Sequence, residues 1–404
     1  MSKEAISGSD IVLTVDYRLQ KICYESLHTM IQDLKSGSRG NGQYTKASGG
    51  AVIITDVDNG EILSLVSYPS YDPNIFSGVI TNKEWNLLNN DKERPIFNRA
   101  TQGSYAPGST FKMLVAMAGL ESKNITSDEL IEDTGVYQYG HRPVCWIYTQ
   151  NRKTHGYINV STAIKVSCNC YFYEVGRRMG IDKVIEFCKL FGLGSKTGIE
   201  LEEATGHIAG ANSDKWYLGD TLSAAIGQSY NSYTPVQIVN YISAIANGGK
   251  LNRLTLVKDV VDSNSGSINA DAIQSYINTQ SAYEFEEKNI SVSEAALKVV
   301  KEGMYRSTSE SGGGVYSIFK NSGLSVAGKT GTAEVGDGTS TALFAGFTPY
   351  INPEIAIVVV IEHGGAGNYA AEVARNILQE YYKIIKEDSQ NISNQIVLTP
   401  GINF

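Results

Sequence analysis

Residues Ala51-Val52-Ile53-Ile54-Thr55-Asp56-Val57-Asp58-Asn59-Gly60-Glu61-Ile62-Leu63-Ser64-Leu65-Val66-Ser67-Tyr68 read as two β-strands joined by a turn. Ala51–Asp56 is apolar and β-branched, Asn59-Gly60 suits a tight turn between antiparallel strands, and Glu61–Tyr68 is the returning strand. The pattern recurs near the other end of the chain. There Ser340–Phe347 and Glu354–Ile361 are strand-like on either side of Thr348–Pro353, and Ala370–Lys386 follows with helical periodicity. Between the two β-rich ends, helical segments run over Ser109–Ser122, Val160–Met179, Asp182–Leu190, Thr234–Asn247 and Ser293–Thr308. The expected fold class is therefore α+β: an antiparallel sheet assembled from both termini, covered by helices, with a helical subdomain over roughly 75–250. Arg39–Ser48 and Asp262–Ala270 read as Gly-rich polar loops, and 389–404 as a polar tail.

Composition removes several function classes. A 404-residue chain with 42% hydrophobic and 19% charged residues can bury a large core, which excludes a disordered scaffold. The 34 Lys and Arg are outnumbered by 42 Asp and Glu, for a net charge of −8, and no basic run offers a polyanion site, so no nucleic-acid partner is expected. Five cysteines, an odd number spread from Cys23 to Cys188, do not form a disulfide framework. The longest dense apolar run, Ile355–Ile361, has strand length, and Met1–Asp10 lacks a signal-peptide pattern.

The chemistry begins at Pro107-Gly108-Ser109-Thr110-Phe111-Lys112, where a Gly-Pro turn opens an amphipathic helix. A hydroxyl in the first turn sits at the positive end of the helix dipole, and a lysine three residues later returns to the same face. Ser109 and Lys112 are thus a candidate nucleophile and base. Ser-x-x-Lys is weak alone, since Ser317-Ile318-Phe319-Lys320 repeats it. Two further elements follow Ser109 in chain order: Ser167-Cys168-Asn169, then Lys329-Thr330-Gly331. Each has decoys, at Ser122, Ser229, Ser267 and Ser389 for Ser-x-Asn, and at Lys35 and Lys196 for Lys-[Ser/Thr]-Gly. Only Lys329 lies on a predicted strand. Ser325–Glu334 reads as an edge strand whose small residues admit a substrate backbone, with the Lys329 ammonium and the Thr330 and Thr332 hydroxyls expected to face one side and hold a carboxylate.

In this order the motifs resemble the transpeptidase domain of class B penicillin-binding proteins, which carry the serine β-lactamase-like fold. Other segments are similar too: Leu13-Thr14-Val15-Asp16, Tyr68-Pro69-Ser70-Tyr71-Asp72-Pro73-Asn74, Arg99-Ala100, Ala224-Ala225-Ile226-Gly227-Gln228 and Ala246-Asn247-Gly248-Gly249. The resemblance implies a serine acyl-transferase that crosslinks peptidoglycan stem peptides through an acyl-enzyme on Ser109 and is acylated by β-lactams. It implies roles for Lys112 as base, for Ser167 and Lys329 in proton transfer and carboxylate binding, for Asn169 on the substrate amide, and for Thr330, Gly331 and Thr332 along the substrate. The implied partners are stem peptides, a lipid-linked precursor strand, and a membrane glycosyltransferase of the elongation, division or sporulation machinery. The implied location is the extracytoplasmic face of the bacterial membrane, with residues 11–388 as the catalytic domain and 1–10 as a linker remnant of a longer, anchored protein. No cofactor is required for such catalysis. A DD-carboxypeptidase, a β-lactam sensor or a serine β-lactamase would share the motifs. The class A β-lactamase glutamate has no counterpart between the second and third elements, because the nearest string, Glu84–Asn89, precedes Ser109.

One feature lies outside the pattern. Cys145, Cys168 and Cys170 cluster around the Ser-x-Asn element, with His141 and His155 nearby. Cys145, Cys168, Cys170 and one imidazole, His155 first and His141 second, would satisfy a tetrahedral structural Zn2+ bracing the loop. The alternative is three small thiols packed in a helical subdomain. Extended geometry would put Cys168 and Cys170 on one side and Ser167 and Asn169 on the other. His28, His207 and His363 have no companion ligands and read as surface or hydrogen-bonded histidines.

Overall fold

The computed structural model describes residues 9–397 except 212, 214, 263–267, 269–284 and 286. Its centre is a five-stranded antiparallel sheet in the order β3-β2-β11-β10-β9. The strands are β2 (Gly50–Asp56), β3 (Ile62–Tyr68), β9 (Ala327–Glu334), β10 (Ser340–Thr348) and β11 (Ile355–Ile361). The two expected hairpins are both present, and β2 pairs with β11 from Ile355 opposite Asp56 to Ile361 opposite Gly50, which joins the two ends of the chain. Short pairs accompany the sheet: β1 (Ser9–Leu13) with β7 (Val257–Asp262), β4 (Ile131–Asp133) with β5 (Gly156–Ile158), and β6 (Lys250–Leu251) with β8 (Lys288–Asn289).

The continuous apolar runs in β2 and β11 have a direct cause. Both faces of the sheet are covered, so side chains pointing either way are buried. Val52, Ile54, Ile357 and Val359 pack under helices Tyr17–Lys35 and Gly367–Val397. Ala51, Ile53, Val358 and Val360 join the other core, with helices Lys112–Glu121 and Pro235–Ala246. Asn59-Gly60 closes the first hairpin, where Gly60 takes φ +79° and the Asp56 carboxylate accepts from the N–H groups of Asp58 and Asn59.

Several boundaries differ from the sequence reading. The expected helix Val160–Met179 is broken. Val160–Lys165 ends, Ser167 turns through φ +58°, and a new helix starts at Asn169. Consequently Cys168 and Cys170 do not alternate with Ser167 and Asn169 as on a strand, because Cys168 is the cap of that new helix, its sulfur accepting from the Tyr171 N–H at 3.4 Å. The last helix runs Gly367–Val397, so the segment read as a polar tail, 389–404, begins inside a helix, and 398–404 lie outside the described residues. Most of the expected loop Asp262–Ala270 also lies outside them. Among the described residues no helix is long and apolar enough to cross a membrane.

Candidate active site

Ser109 sits in a single 3-10 turn, Gly108–Phe111, that leads directly into helix Lys112–Glu121. Gly108 has φ +53°, and a β-carbon there would lie 2.9 Å from the Thr332 carbonyl oxygen and 3.1 Å from its nitrogen. A β-carbon on Gly331 would overlap the Pro107 carbonyl oxygen. Glycine at both positions therefore lets the nucleophile turn lie against the backbone of β9, which only residues without a side chain allow. The turn is held from behind as well. The Gly108 N–H donates to the Gly227 carbonyl at 2.9 Å, the Tyr241 hydroxyl donates to the Thr110 carbonyl, and Tyr105 exchanges both backbone bonds with Tyr233 at 2.9 Å.

Lys112 is fully buried and reaches the second element. Its Nζ donates to the Ser167 carbonyl at 2.9 Å and to Asn169 Oδ1 at 2.6 Å, and stands 3.4 Å from Ser167 Oγ. Burial disfavours the ammonium and lowers its pKa to about 8. Lys329 is also buried. Desolvation, with the like charge of Lys112 added, holds it well below the usual lysine value. The left-handed turn at Ser167 is what aims its carbonyl and hydroxyl at Lys112, a strained conformation of the kind found at working sites.

β9 is the edge strand of the sheet, as expected. The Thr332 carbonyl receives the Gln228 side chain at 3.0 Å from outside the sheet, so in antiparallel geometry the Thr332 N–H also faces away from β10. One expectation fails. Thr330 and Thr332 share a face turned toward Gly367, whose N–H donates to Thr332 Oγ1 at 3.1 Å, whereas Lys329, one position away, is buried on the other side. Strand alternation separates the ammonium from the two hydroxyls. The decoy Lys196-Thr197-Gly198 is structural, its Thr197 and Gly198 N–H groups capped by the Glu203 carboxylate at 2.9 and 3.0 Å.

Beyond Thr332, β9 runs along a cavity of about 350 Å³ lined by residues including Ser104, Tyr105, Glu334, Thr341 and Glu362. Glu362 binds Arg99 Nε at 3.0 Å and the Tyr105 hydroxyl at 2.8 Å, tying the end of β11 to the segment feeding Ser109. The sequence reading missed this bridge, since 263 positions separate Arg99 from Glu362.

The cysteine cluster assembles with a different membership. Asp133, Cys145, His155 and Cys168 place one ligand atom each within 4.8 Å of one another. Asp133 takes the place expected for Cys170, which is buried outside the set. His141 is exposed and lies against Gly219, so it is not the imidazole. Asp133 ends β4 and pairs opposite Gly156, the residue after His155, so the β4–β5 hairpin brings the two together. No local spacing signals that aspartate. The sulfurs of Cys145 and Cys168 are 3.9 Å apart, and Cys145 Sγ is 3.7 Å from His155 Nδ1. Tetrahedral zinc at ordinary bond lengths asks for about 3.8 and about 3.6 Å, which these two spacings meet, but for about 3.3 Å between a ring nitrogen and a carboxylate oxygen, where His155 Nδ1 and Asp133 Oδ2 stand 2.6 Å apart as a hydrogen-bonded pair. The His155 Nδ1–H donates to the Asp133 carboxylate at 2.6 Å. Burial works against its charged form, but the Asp133 carboxylate and Cys145 outweigh it and raise its pKa to about 9. Hydrogen bonds from Cys168 and Cys170 favour the Cys145 thiolate. Cys23 and Cys188 are buried packing residues, and all five thiols are free. His28 bonds the Tyr68 hydroxyl at 3.1 Å and His363 the Thr339 hydroxyl at 2.6 Å, as hydrogen-bonded histidines should.

Comparison with known proteins gives this geometry a family. Residues 50–379 match the penicillin binding protein transpeptidase domain. The chain belongs to that family. It is 31% identical over 411 residues to peptidoglycan D,D-transpeptidase MrdA of Haemophilus influenzae and 32% identical over 397 residues to MrdA of Escherichia coli. These alignments cover 94% and 92% of the chain but 57% of either relative, so the chain spans little more than half their length. Among solved transpeptidase structures, PBP2 of Pseudomonas aeruginosa in complex with WCK 5153 superimposes with a TM-score of 0.78 at 31% identity, over 93% of this chain and 79% of that one. PBP2 of Helicobacter pylori in complex with MreC gives 0.75 at 29% identity, over 93% and 64%. The α+β reading and the penicillin-binding fold hold for this transpeptidase domain.

Proposed function

We propose that this transpeptidase domain is the acyl-transfer unit of a D,D-transpeptidase that crosslinks peptidoglycan stem peptides through an acyl-enzyme on Ser109. The observation that carries this reading is the junction at Lys112. Its buried amine binds the Ser167 carbonyl and Asn169, while the turn bearing Ser109 lies against Thr332 of the edge strand. Three sequence elements spread over more than two hundred residues thus meet at one cleft.

A neutral Lys112 has two N–H bonds and one lone pair. With the two donors used by Ser167 and Asn169, the lone pair is left to accept the Ser109 proton as the serine attacks the carbonyl between the two terminal D-alanines. The N–H groups of Ser109 and Thr332 stabilise the oxyanion. Ser167 Oγ, 3.4 Å from the Lys112 nitrogen, relays that proton to the leaving D-alanine. Thr330 and Thr332, whose hydroxyls share one face of β9, hold the terminal carboxylate. An amine from a second stem peptide then attacks the acyl-enzyme and releases Ser109. β-Lactams enter by the first half of the same path.

The MrdA and PBP2 likenesses support a place on the extracytoplasmic face of the membrane, beside a membrane glycosyltransferase. Asp133, Cys145, His155 and Cys168 would hold a structural Zn2+, which would brace the Ser167 loop and take no part in the reaction. The decisive experiment is intact-mass analysis after incubation with a fluorescent penicillin. The native chain is expected to gain one adduct, mapped to Ser109, and Ser109→Ala none. An adduct on the variant would reassign the nucleophile.

A further inference from the structure

The Thr332 carbonyl is already engaged. Gln228 Nε2 donates to it at 3.0 Å, from a half-exposed side chain just after helix Leu218–Ala225. The preceding Gly227 carbonyl accepts from the Gly108 N–H at 2.9 Å. The loop at Gly227-Gln228 therefore touches both walls of the cleft, the nucleophile turn through its backbone and the edge strand through its side chain.

A peptide added to an antiparallel edge makes reciprocal pairs. The residue opposite a hydrogen-bonded position accepts from its N–H and donates to its C=O. If the scissile carbonyl accepts from the Thr332 N–H, the amide N–H of that same donor residue must point at the Thr332 carbonyl. That is the acceptor Gln228 holds. The backbone of β9 presents the pair as a unit, so a substrate in strand register brings its N–H to the same outward-facing carbonyl that Gln228 holds, and the two donors compete for it.

We propose that Gln228 is a specificity-determining positioning residue, a carboxamide latch that occupies the Thr332 carbonyl until the amide N–H of the acyl donor displaces it. The latch keeps the edge acceptor hydrogen-bonded between turnovers and sets a cost on ligands that need it. A donor with an amide N–H at that residue recovers the bond on displacing Gln228, whereas a ligand without one neither displaces the latch nor gains from its removal. Gln228 acts on alignment of the donor, not on the bonds that form and break at Ser109. This inference rests on the acyl-enzyme reading above.

The test compares two β-lactams on the whole chain. Benzylpenicillin carries an acylamino N–H beside its reactive carbonyl, and imipenem carries a hydroxyethyl group with none. Gln228→Ala is expected to raise the ratio of the penicillin to the imipenem acylation rate constant about three- to tenfold, the worth of one neutral hydrogen bond no longer competed for. A ratio unchanged within about twofold, or lowered, overturns the proposal, because a merely structural loss slows both ligands together. If Gln228→Ala fails to fold by thermal unfolding, Gln228→Met, similar in length and without a donor, is expected to shift the ratio the same way and is judged by the same limits. Absence of any Ser109 adduct on the native chain with either ligand would overturn the acyl-enzyme reading and this inference with it. Normal adducts with an unmoved ratio would overturn the Gln228 latch alone.

Discussion

Lys112 is a buried cation in a site that needs a base, and burial does the tuning. An amine whose pKa has come down to about 8 is mostly protonated at pH 7 and mostly free at pH 9. With the free amine as the proposed base, acylation should rise with pH through that value, about tenfold from pH 7 to pH 9. A stopped-flow or gel-based acylation profile that stays flat over this range would remove Lys112 from the role. Ser109 and Lys112 could be read from sequence because three positions of helix bring them to one face. The aim of Ser167 could not. Its left-handed backbone depends on one helix ending at Lys165 and another starting at Asn169, and a serine carries no sign of that conformation. The Thr330, Thr332 and Lys329 grouping was misread for a related reason, since period-two alternation puts the lysine on the opposite face.

At the scale of elements, the cleft is a contact between one turn and one strand edge, and its closeness depends on two glycines. Gly331→Ala would drive a β-carbon into the Pro107 carbonyl and part β9 from the nucleophile turn. Displacement by about 1 Å at a reacting centre can cost on the order of 100-fold, so acylation should fall by that amount while the thermal midpoint moves by a few degrees. Equal acylation in the variant would mean that the contact does not set the geometry. The β4–β5 hairpin is the second such element. With Asp133 and His155 on it and Cys145 and Cys168 facing them, purified protein should carry about one equivalent of zinc, and Cys145→Ser should lose at least a tenfold share of affinity. Elemental analysis of native protein below about a tenth of an equivalent would leave the cluster as packed thiols and a hydrogen-bonded His-Asp pair. The sequence suggested three of these four residues. The fourth entered through strand pairing, which puts Asp133 beside His155 across 22 positions.

At the scale of the molecule, both ends of the chain build one sheet, and an ion pair between buried Arg99 and partly buried Glu362 fastens that sheet to the segment leading into the Ser109 turn. Arg99 is 5% exposed and Glu362 19%, and Arg99 also donates to the carbonyls of Glu93 and Arg94 at 2.8 and 3.2 Å. Glu362→Ala would leave that guanidinium buried without its counter-charge, at roughly 3–5 kcal/mol of unfolding free energy in urea titration. Glu362→Gln, which keeps an acceptor for Arg99 and Tyr105, should lose less. If the two variants unfold alike, the charge is not what holds this junction. By itself the sequence determined the five strands of the main sheet, its two hairpins and the order of the candidate catalytic motifs, because apolar runs, Asn-Gly turns and helical spacing act between near neighbours. It also grouped Cys145, Cys168 and Cys170 with one histidine, a set from which the structure drops Cys170. The tertiary structure decided which groups meet across long separations: Asp133 with His155, Glu362 with Arg99, Gln228 with Thr332. Those pairings follow from how the edge strand, the helical loops and the sheet ends pack, and no local pattern in the chain encodes a distance between segments that are not neighbours.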